Sequence, residues 1–531
     1  MMQEVSAAKL KSLILARQEL AILDVREEGI YFDSHLLWAS NIPLSQLELE
    51  VDALLPRRTV PIVVYDSGPA GQELAARRAK KRLEELGYSD VSTLIGGTAG
   101  WKDAGFELFS GLNVPSKTFG EYLLQQRKPP EILANDLYDR LQRQDNLVVL
   151  DSRPMDEYHA MSIPTAVDVP GAELVYRVFE IAPDPKTDVV VNCAGRTRSI
   201  VGAMSLINAE ISNRVMLLKD GTMGWHLAGL KLDHSQTRVA PTPSPDSYEK
   251  ASVAAARVAR RFDVKTVDRE TLEEWQRDEF HTLYVFDVRT PEEFENKHLP
   301  GSHHVPGGQL VQTTDEFVAV QNARIVLVDD RRVRAIMTAS WLLQMGHRHV
   351  YVLEEPFEGM DLASGTEQCT ILGYKQHETL ECGELKAVMQ SGEPMLLVDL
   401  SSSRNFRIRH IENAIWCIRQ RLESALTLRQ PIGLLVLTSE DGVLAHLAAA
   451  DLTKLDDRQI VRVLNGGNQA WQSAGYPMTD GMEPRLTEVD DIWERPYDNE
   501  IGQEQRMKNY LEWEVQLMDQ AIRDGTVHFQ C

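Results

Sequence analysis

The sequence has few cysteines, a deficit of basic residues and no long apolar runs, and each shortage excludes a class of protein. Five cysteines in 531 residues, without CxxC spacing, predict neither a disulfide framework nor a zinc site. Lys and Arg total 56 against 79 Asp and Glu, a net charge of -23, which disfavours nucleic acids and membrane surfaces as partners. An anionic substrate would therefore have to be captured by local positive charge.

Segments that would carry the chain to or through a membrane are also missing. No apolar run approaches the roughly 20 residues that span a bilayer. The first residues lack the basic, apolar and small-residue succession of a secretory signal peptide. We therefore expect a cytoplasmic protein, and no metal or organic cofactor is indicated.

The same three-part pattern occurs four times, at intervals of about 110 to 135 residues. Each copy opens with a short apolar strand that ends in an aspartate: Asp24, Asp151, Asp287 and Asp399. A histidine follows after 11, 8, 11 and 11 residues: His35, His159, His298 and His410. A second apolar strand and a helix come next, and a Gly-rich turn leads to a bulky residue such as Trp101, Trp225 or Trp471. Alternating strands and helices predict α/β domains, each with a central parallel sheet flanked by helices.

The junctions between copies predict the domain boundaries. We expect domains at residues 1–113, 114–240, 248–368 and 372–481, with the Pro-rich stretch 242–247 as the clearest linker. The pattern stops after that, and a charged tail covers residues 482–531. Amphipathic spacing in this tail predicts a helix that packs across the domains, and a partner-binding helix is the alternative.

The most reactive position in the sequence is predicted at Cys193, which ends an apolar run and starts the turn Ala194-Gly195-Arg196-Thr197-Arg198. The run predicts a buried parallel strand, and the residues from Ser199 onwards predict a helix. Converging backbone N–H groups, the positive end of that helix and two guanidinium groups favour an anionic sulfur. We therefore expect the loop to lower the pKa of the Cys193 thiol from about 8.5 and to make it a nucleophile.

Taken together, the Asp-x-Arg strand end, the histidine, the cysteine loop and the closing Gly-x-x-x-Gly-Trp resemble the rhodanese family of sulfurtransferases. The resemblance extends to about residue 480 and is most specific in the second copy. It implies four tandem rhodanese-like domains and a cysteine that alternates between thiolate and persulfide. The implied donor is a small anion such as thiosulfate, or a persulfide, and the implied acceptor is a thiol or cyanide.

When the copies are aligned at Cys193, only the second copy has a cysteine at that position. The equivalent residue is Asp66 in the first copy, Asp329 in the third, and Thr438 or Ser439 in the fourth. Neither a carboxylate nor a hydroxyl can form a persulfide. One active domain and three inactive domains are therefore expected.

Further expectations concern the residues around this cysteine. Substrate binding is expected from the loop residues Ala194, Gly195, Arg196, Thr197 and Arg198. The guanidinium groups of the two arginines match the oxyanion end of a donor. Arg153 is also expected among the substrate-binding residues, at the border of the site. Structural or rim positions are expected for Asp151, His159, Ser199 and Trp225.

Two other functions stay open at this point. The three inactive domains would dock a partner enzyme if the protein were a sulfur relay or a scaffold. A cysteine-dependent phosphatase would need five residues between Cys and Arg, whereas four separate Cys193 from Arg198. The shorter loop suits a single sulfur atom, so sulfur transfer is the favoured interpretation.

Overall fold

The computed structural model describes residues 4–68, 74–355, 357, 359–367, 370–427, 433–452, 459–498 and 501–531. Within these ranges, four α/β units follow one another, and each is built on its own parallel sheet. This confirms the predicted fold class. None of the helices in the described ranges combines the length and apolar character that a membrane crossing requires.

The first unit contains five strands and five helices in the described residues. Its strands are β1 (Glu4–Val5), β2 (Leu20–Asp24), β3 (Ser40–Asn41), β4 (Ile62–Tyr65) and β5 (Val91–Leu94). Its helices are α1 (Ala7–Ala16), α2 (Glu28–Asp33), α3 (Leu47–Leu54), α4 (Leu74–Glu85) and α5 (Gly97–Asp103). Alternate residues of β2 face two different apolar clusters, so both faces of the sheet are covered.

The second unit is the one that carries Cys193. Its strands pair in parallel in the order β6-β10-β9-β7-β8. They are β6 (Glu131–Ile132), β7 (Leu147–Asp151), β8 (Val167–Asp168), β9 (Asp188–Asn192) and β10 (Val215–Leu218). The helices are α6 (Val114–Arg127), α7 (Ala134–Gln142), α8 (Met155–Ala160), α9 (Glu173–Ile181), α10 (Thr197–Asn208) and α11 (Gly221–Leu227).

One strand of the third unit pairs with the sheet of the first unit. Its helices are α12 (Pro245–Arg261), α13 (Arg269–Gln276), α14 (Pro291–Asn296), α15 (Gly307–Gln312), α16 (Thr314–Phe317) and α17 (Val333–Gln344). Its strands are β11 (Lys265–Val267), β12 (Leu283–Asp287), β13 (His303–His304), β14 (Val320–Gln321), β15 (Arg324–Val328) and β16 (Val350–Leu353). Strand β14 pairs antiparallel with β2, so the first and third units share a sheet edge.

The fourth unit is followed by the tail helix α23 (Gln503–Asp524). Its strands are β17 (Thr379–Leu380), β18 (Met395–Asp399), β19 (His410–Ile411), β20 (Ile415–Trp416), β21 (Leu434–Thr438), β22 (Ile460–Leu464) and β23 (Met478–Thr479). Its α-helices are α18 (Cys382–Ser391), α19 (Ser403–Ile408), α20 (Leu422–Thr427), α21 (Val443–Asp451) and α22 (Gly467–Ser473). A 3-10 turn at Arg419–Arg421 precedes α20.

The first three units are fused through one apolar core. Phe119 on α6 and Trp341 on α17 meet with ring centroids 6.0 Å apart, and Phe529 of the tail lies 5.3 Å from Phe119. The indole of Trp341 donates a hydrogen bond of 3.0 Å to the hydroxyl of Ser205 on α10. These three units are therefore packed directly against one another.

The Pro-rich stretch 242–247, predicted as a linker, is partly helical. Helix α12 begins at Pro245, and the side chain of Ser244 accepts a hydrogen bond from the backbone N–H of Ser247. Proline is well tolerated in the first turn of a helix, where no N–H partner is needed. The sequence signal was therefore that of a helix start.

The histidine alignment predicted for the second copy is wrong. His35, His298 and His410 are buried, and each stacks on the aromatic ring four residues earlier. In each case Nδ1 lies within 3.0 Å of the carbonyl oxygen of that residue. His159 is exposed instead, and Ser162 forms the antiparallel bridge that His35 and His298 form in their units. Ser162 is therefore the equivalent residue.

Candidate active site

Cys193 lies at the carboxyl edge of the second sheet, between β9 and α10. Its carbonyl oxygen accepts hydrogen bonds from the backbone N–H and the hydroxyl of Thr222, at 2.8 and 3.0 Å. Gly221 has a φ of +55°, and a Cβ at this position would collide with the Cys193 carbonyl. The glycine is thus required for the closing turn to hold the cysteine loop.

Strand pairing identifies the positions equivalent to Cys193. In every unit, the last residue of the second long strand lies opposite the strand-ending aspartate. The next residue is Cys193 in the second unit, Asp66 in the first, Asp329 in the third and Ser439 in the fourth. Of the two candidates left open in the fourth copy, Ser439 is therefore the equivalent, and Thr438 is the last residue of the strand.

The equivalent position in the third unit has a structural task. The Asp329 carboxylate accepts hydrogen bonds from Nε and Nη2 of Arg334, at 3.1 and 2.9 Å. Arg334 is fully buried and also bonds Glu173 of the second unit at 3.0 Å. Asp329 therefore helps to neutralise an arginine that bridges two units.

The environment of the Cys193 thiol has opposing effects on its pKa. The residue is 1% exposed, and burial raises the pKa of the thiol. The positive charge of Arg198 and the hydroxyl and N–H of Ser199 lower it, whereas the charge of Glu514 raises it. The net effect is a raised pKa of the Cys193 thiol, so the prediction of a lowered pKa is wrong, because burial outweighs the favourable groups.

Both arginines of the loop are already paired with carboxylates. Arg198 donates two hydrogen bonds to Glu157, at 2.7 and 2.8 Å. Arg196 donates to Glu121 at 2.7 and 3.0 Å and to Asp220 at 2.7 Å. The two guanidinium groups therefore do not present the free forks that were expected to hold a donor oxyanion.

Arg153 lies beneath the site and does not border it. The side chain is fully buried, and it donates hydrogen bonds of 2.8 Å to both carboxylate oxygens of Asp151. A third bond of 2.6 Å reaches the carbonyl oxygen of Met161. The expected border position is therefore incorrect, since the pair ties the end of β7 to the segment after α8.

The other expected rim positions differ in their distance from the thiol. Ser199 is buried beside it and donates a hydrogen bond of 2.8 Å to the carbonyl oxygen of Arg196. Trp225 is buried in the core, where its Nε1 donates to the carbonyl oxygen of Lys231 at 3.0 Å. His159 is exposed, with Nδ1 3.3 Å from the carbonyl oxygen of Gln236. Only Ser199 of these three faces the sulfur.

A cavity of about 290 Å³ lies over the cysteine loop, and its walls come from all four units and the tail. Residues outside the second unit include Glu28, Asn113, Gln312, Arg404, Arg495 and Tyr497. The sequence did not indicate these residues, because they lie outside the repeated motifs. Their contribution depends on how the units pack.

The tail helix α23 brings Glu514 onto the cysteine loop. Glu514 is 2% exposed, and its Oε1 accepts a hydrogen bond of 3.4 Å from the hydroxyl of Thr197. Lys117 on α6 lies beneath the tail, with its ammonium 5.6 and 5.3 Å from the ring centroids of Tyr510 and Trp513. Burial raises the pKa of Glu514 to about 7 and lowers that of Lys117 to about 8, while the attraction between the two groups opposes both changes.

Comparison with known proteins agrees with this architecture. The family of rhodanese-like domains matches residues 6–104, 133–228, 268–362 and 381–474. The crystal structure of a thiosulfate sulfurtransferase from Pseudomonas aeruginosa is similar over 100% of this chain and 99% of its own, with 44% identity and a TM-score of 0.96. An HTH-type transcriptional regulator of Mycobacterium tuberculosis is 36% identical over 87 residues, which are 16% of this chain and 38% of the regulator. The chain belongs to the rhodanese-like family of sulfurtransferases.

Proposed function

We propose that the protein moves a sulfane sulfur from thiosulfate or a persulfide donor to a thiol or cyanide acceptor, through a persulfide on Cys193. The observation that carries this proposal is the position of Cys193 in the wall of the cavity, beside Arg198 and Ser199. The equivalent positions of the other units hold carboxylates and a hydroxyl, which form no persulfide. The chemistry is therefore assigned to the second unit alone.

The reaction would take place in two displacements at sulfur. Cys193 loses its proton to solvent, and the thiolate attacks the outer sulfur of thiosulfate. An S–S bond forms to Cys193, the S–S bond of the donor breaks, and sulfite leaves with the electron pair. An acceptor thiolate or cyanide then attacks the terminal sulfur, and Cys193 leaves as the thiolate. The Arg198 charge and the Ser199 donors stabilise the anionic sulfur at both stages.

The units that lack a cysteine at the position of Cys193 have a role in this scheme as walls of the cavity. Asn113, Gln312 and Arg404 come from three different parts of the chain and face the same space. Walls of this kind would restrict the access of water to the persulfide. The docking of a partner protein stays a prediction, and the walls give these units a task that needs no partner.

No feature of the cavity favours the phosphatase alternative. Arg198, the residue that would have to bind phosphate, is held by both oxygens of Glu157.

Sulfur loading tests the proposed function directly. The protein is incubated with thiosulfate, and its intact mass is measured before and after reduction with a thiol. We expect a gain of one sulfur atom that reduction removes, and no gain in Cys193→Ser. Cys382→Ser, which changes a free cysteine outside the site, serves as the matched control and should still load. An unchanged mass in the wild type, or loading of Cys193→Ser, would contradict the proposal.

A further inference from the structure

The guanidinium group of Arg495 is the part of the cavity that the reaction described above does not use. Arg495 lies between the fourth unit and α23, and it lines the cavity that contains Cys193. In the described part of the chain, the arginines that share this cavity are paired: Arg196 with Glu121, Arg198 with Glu157 and Arg404 with Asp498. In the described residues the side chain of Arg495 has no hydrogen bond or ion pair, whereas its backbone N–H donates to the Asp498 carboxylate at 2.9 Å and its carbonyl oxygen accepts from the backbone N–H of Asp498 at 3.1 Å.

The groups around Arg495 favour its charged form, but in the described residues none of them forms an ion pair with its side chain. Burial alone would lower its pKa, but Tyr497, Glu157 and Asp498 raise it. Glu157, the carboxylate of this group that lines the cavity, has both oxygens on Arg198. Arg495 therefore presents a charged planar fork that can accept an anion from the cavity.

A second cation lies on the wall formed by α6. Lys117 is 5% exposed and lines the same cavity. The charges of Glu514, Asp315 and Glu316 act on it and raise its pKa against the effect of burial, but in the described residues none of them forms an ion pair with it. Its ammonium donates to the carbonyl oxygen of Leu112 and faces two aromatic rings of the tail. Two positive groups from elements outside the cysteine loop thus share one small space, in a chain of net charge -23.

We infer that Arg495, assisted by Lys117, binds the oxyanion end of the sulfur donor while the sulfane sulfur faces Cys193. This inference rests on the proposed function and names the donor class: sulfur oxyanions in which the transferable sulfur is bonded to an oxidised S–O centre. A guanidinium fork matches two oxygens of such a group. The tail therefore supplies the donor specificity that the neutralised loop arginines do not supply.

Steady-state kinetics with thiosulfate and cyanide test this assignment. Arg495→Gln should raise KM for thiosulfate by roughly ten- to a hundred-fold, the effect of losing a charge-assisted hydrogen-bonded pair, with kcat little changed. Arg495→Lys should restore part of the affinity. Arg409→Gln removes one exposed arginine charge elsewhere and is the matched control, with the KM of the wild type.

A sulfur donor that lacks an oxyanion group distinguishes a loss of donor binding from a loss of folded protein. Loading of Cys193 by inorganic polysulfide should proceed at the same rate in Arg495→Gln and in the wild type. The inference is overturned if Arg495→Gln keeps the KM of Arg409→Gln, or if polysulfide loading falls as much as thiosulfate turnover. If the wild type itself takes up no sulfur from either donor, the proposed function fails, which is a distinct outcome.

Discussion

The ion pair of Arg198 and Glu157 offers a test of how the site controls its thiol. Replacing Arg198 by methionine removes the group that most lowers the pKa of Cys193. It also leaves Glu157, whose side chain is 10% exposed, without its partner. The substitution should therefore raise the pKa of the thiol and destabilise the fold, and these two effects can be measured separately.

The cost in stability follows from the pKa of Glu157. Burial alone would raise this pKa, but the positive charges of Arg198 above all, and of Arg153 and Arg495, hold the pKa of Glu157 at about 2 instead of the ordinary 4.5. The difference corresponds to ~3 kcal/mol, close to the ~3–5 kcal/mol typical of breaking a buried pair. A depressed carboxylate pKa stabilises the fold above pH ~4.5, and this contribution is lost as the pH falls towards 2. The deficit of Arg198→Met should therefore be full at pH 7 and shrink in acid.

Two assays and a double variant separate the effects. Urea unfolding followed by tryptophan fluorescence should show the loss in Arg198→Met, and the rate of iodoacetamide alkylation at pH 8 should show a less ionised Cys193. Adding Glu157→Gln removes the unpaired carboxylate and should recover stability to within ~1 kcal/mol, while alkylation stays slow. An alkylation profile of Arg198→Met equal to that of the wild type would refute the role assigned to this charge.

Three further outcomes are expected from changes around the site. Glu514→Gln should speed alkylation of Cys193 above pH 7 and leave it unchanged below, because the charge of Glu514, whose pKa is about 7, raises the pKa of the thiol. The control Glu512→Gln changes an exposed residue and should have no effect. Asp329→Cys should add no second sulfur in intact mass and should lower the urea midpoint, because a buried arginine loses a carboxylate. Gly111→Ala should displace Trp513 of the tail, which the added Cβ would strike, and should therefore raise KM for thiosulfate. The control Gly105→Ala also lies at positive φ but in open space, and it should keep the KM of the wild type.

The features predicted from sequence are those that one unit encodes by itself. An apolar run before Cys193 and a helix after it were expected, and β9 and α10 occupy these positions. The Asp-x-Arg signature forms the same buried ion pair in the first three units, as for Asp151 with Arg153. Local spacing was sufficient here, because these contacts join residues that are close in sequence.

The incorrect predictions concern an alignment, a pKa and the role of an arginine. Each of these depends on three-dimensional contacts that residue type alone does not indicate. His159 was aligned by its identity, although the structural equivalent is Ser162, at the spacing of 11 residues found in the other copies. The pKa of Cys193 was expected to fall, because its charged neighbours are visible in the sequence and its burial is not. Arg198 was assigned to substrate for the same reason, since its partner Glu157 is 41 positions away.

The packing of the units gives a structural role to the three that have no cysteine at the position of Cys193. Arg334, which is paired with Asp329 at the position equivalent to Cys193, reaches Glu173 of the second unit at 3.0 Å. Arg419 of the fourth unit likewise bonds Glu48 of the first at 2.6 and 3.0 Å, and both side chains are buried. Removing one partner of a buried pair leaves an uncompensated charge, so such pairs fix one arrangement of the units. That arrangement places residues of all four units around the cavity, so the units that lack a cysteine at the position of Cys193 help to shape the space beside it.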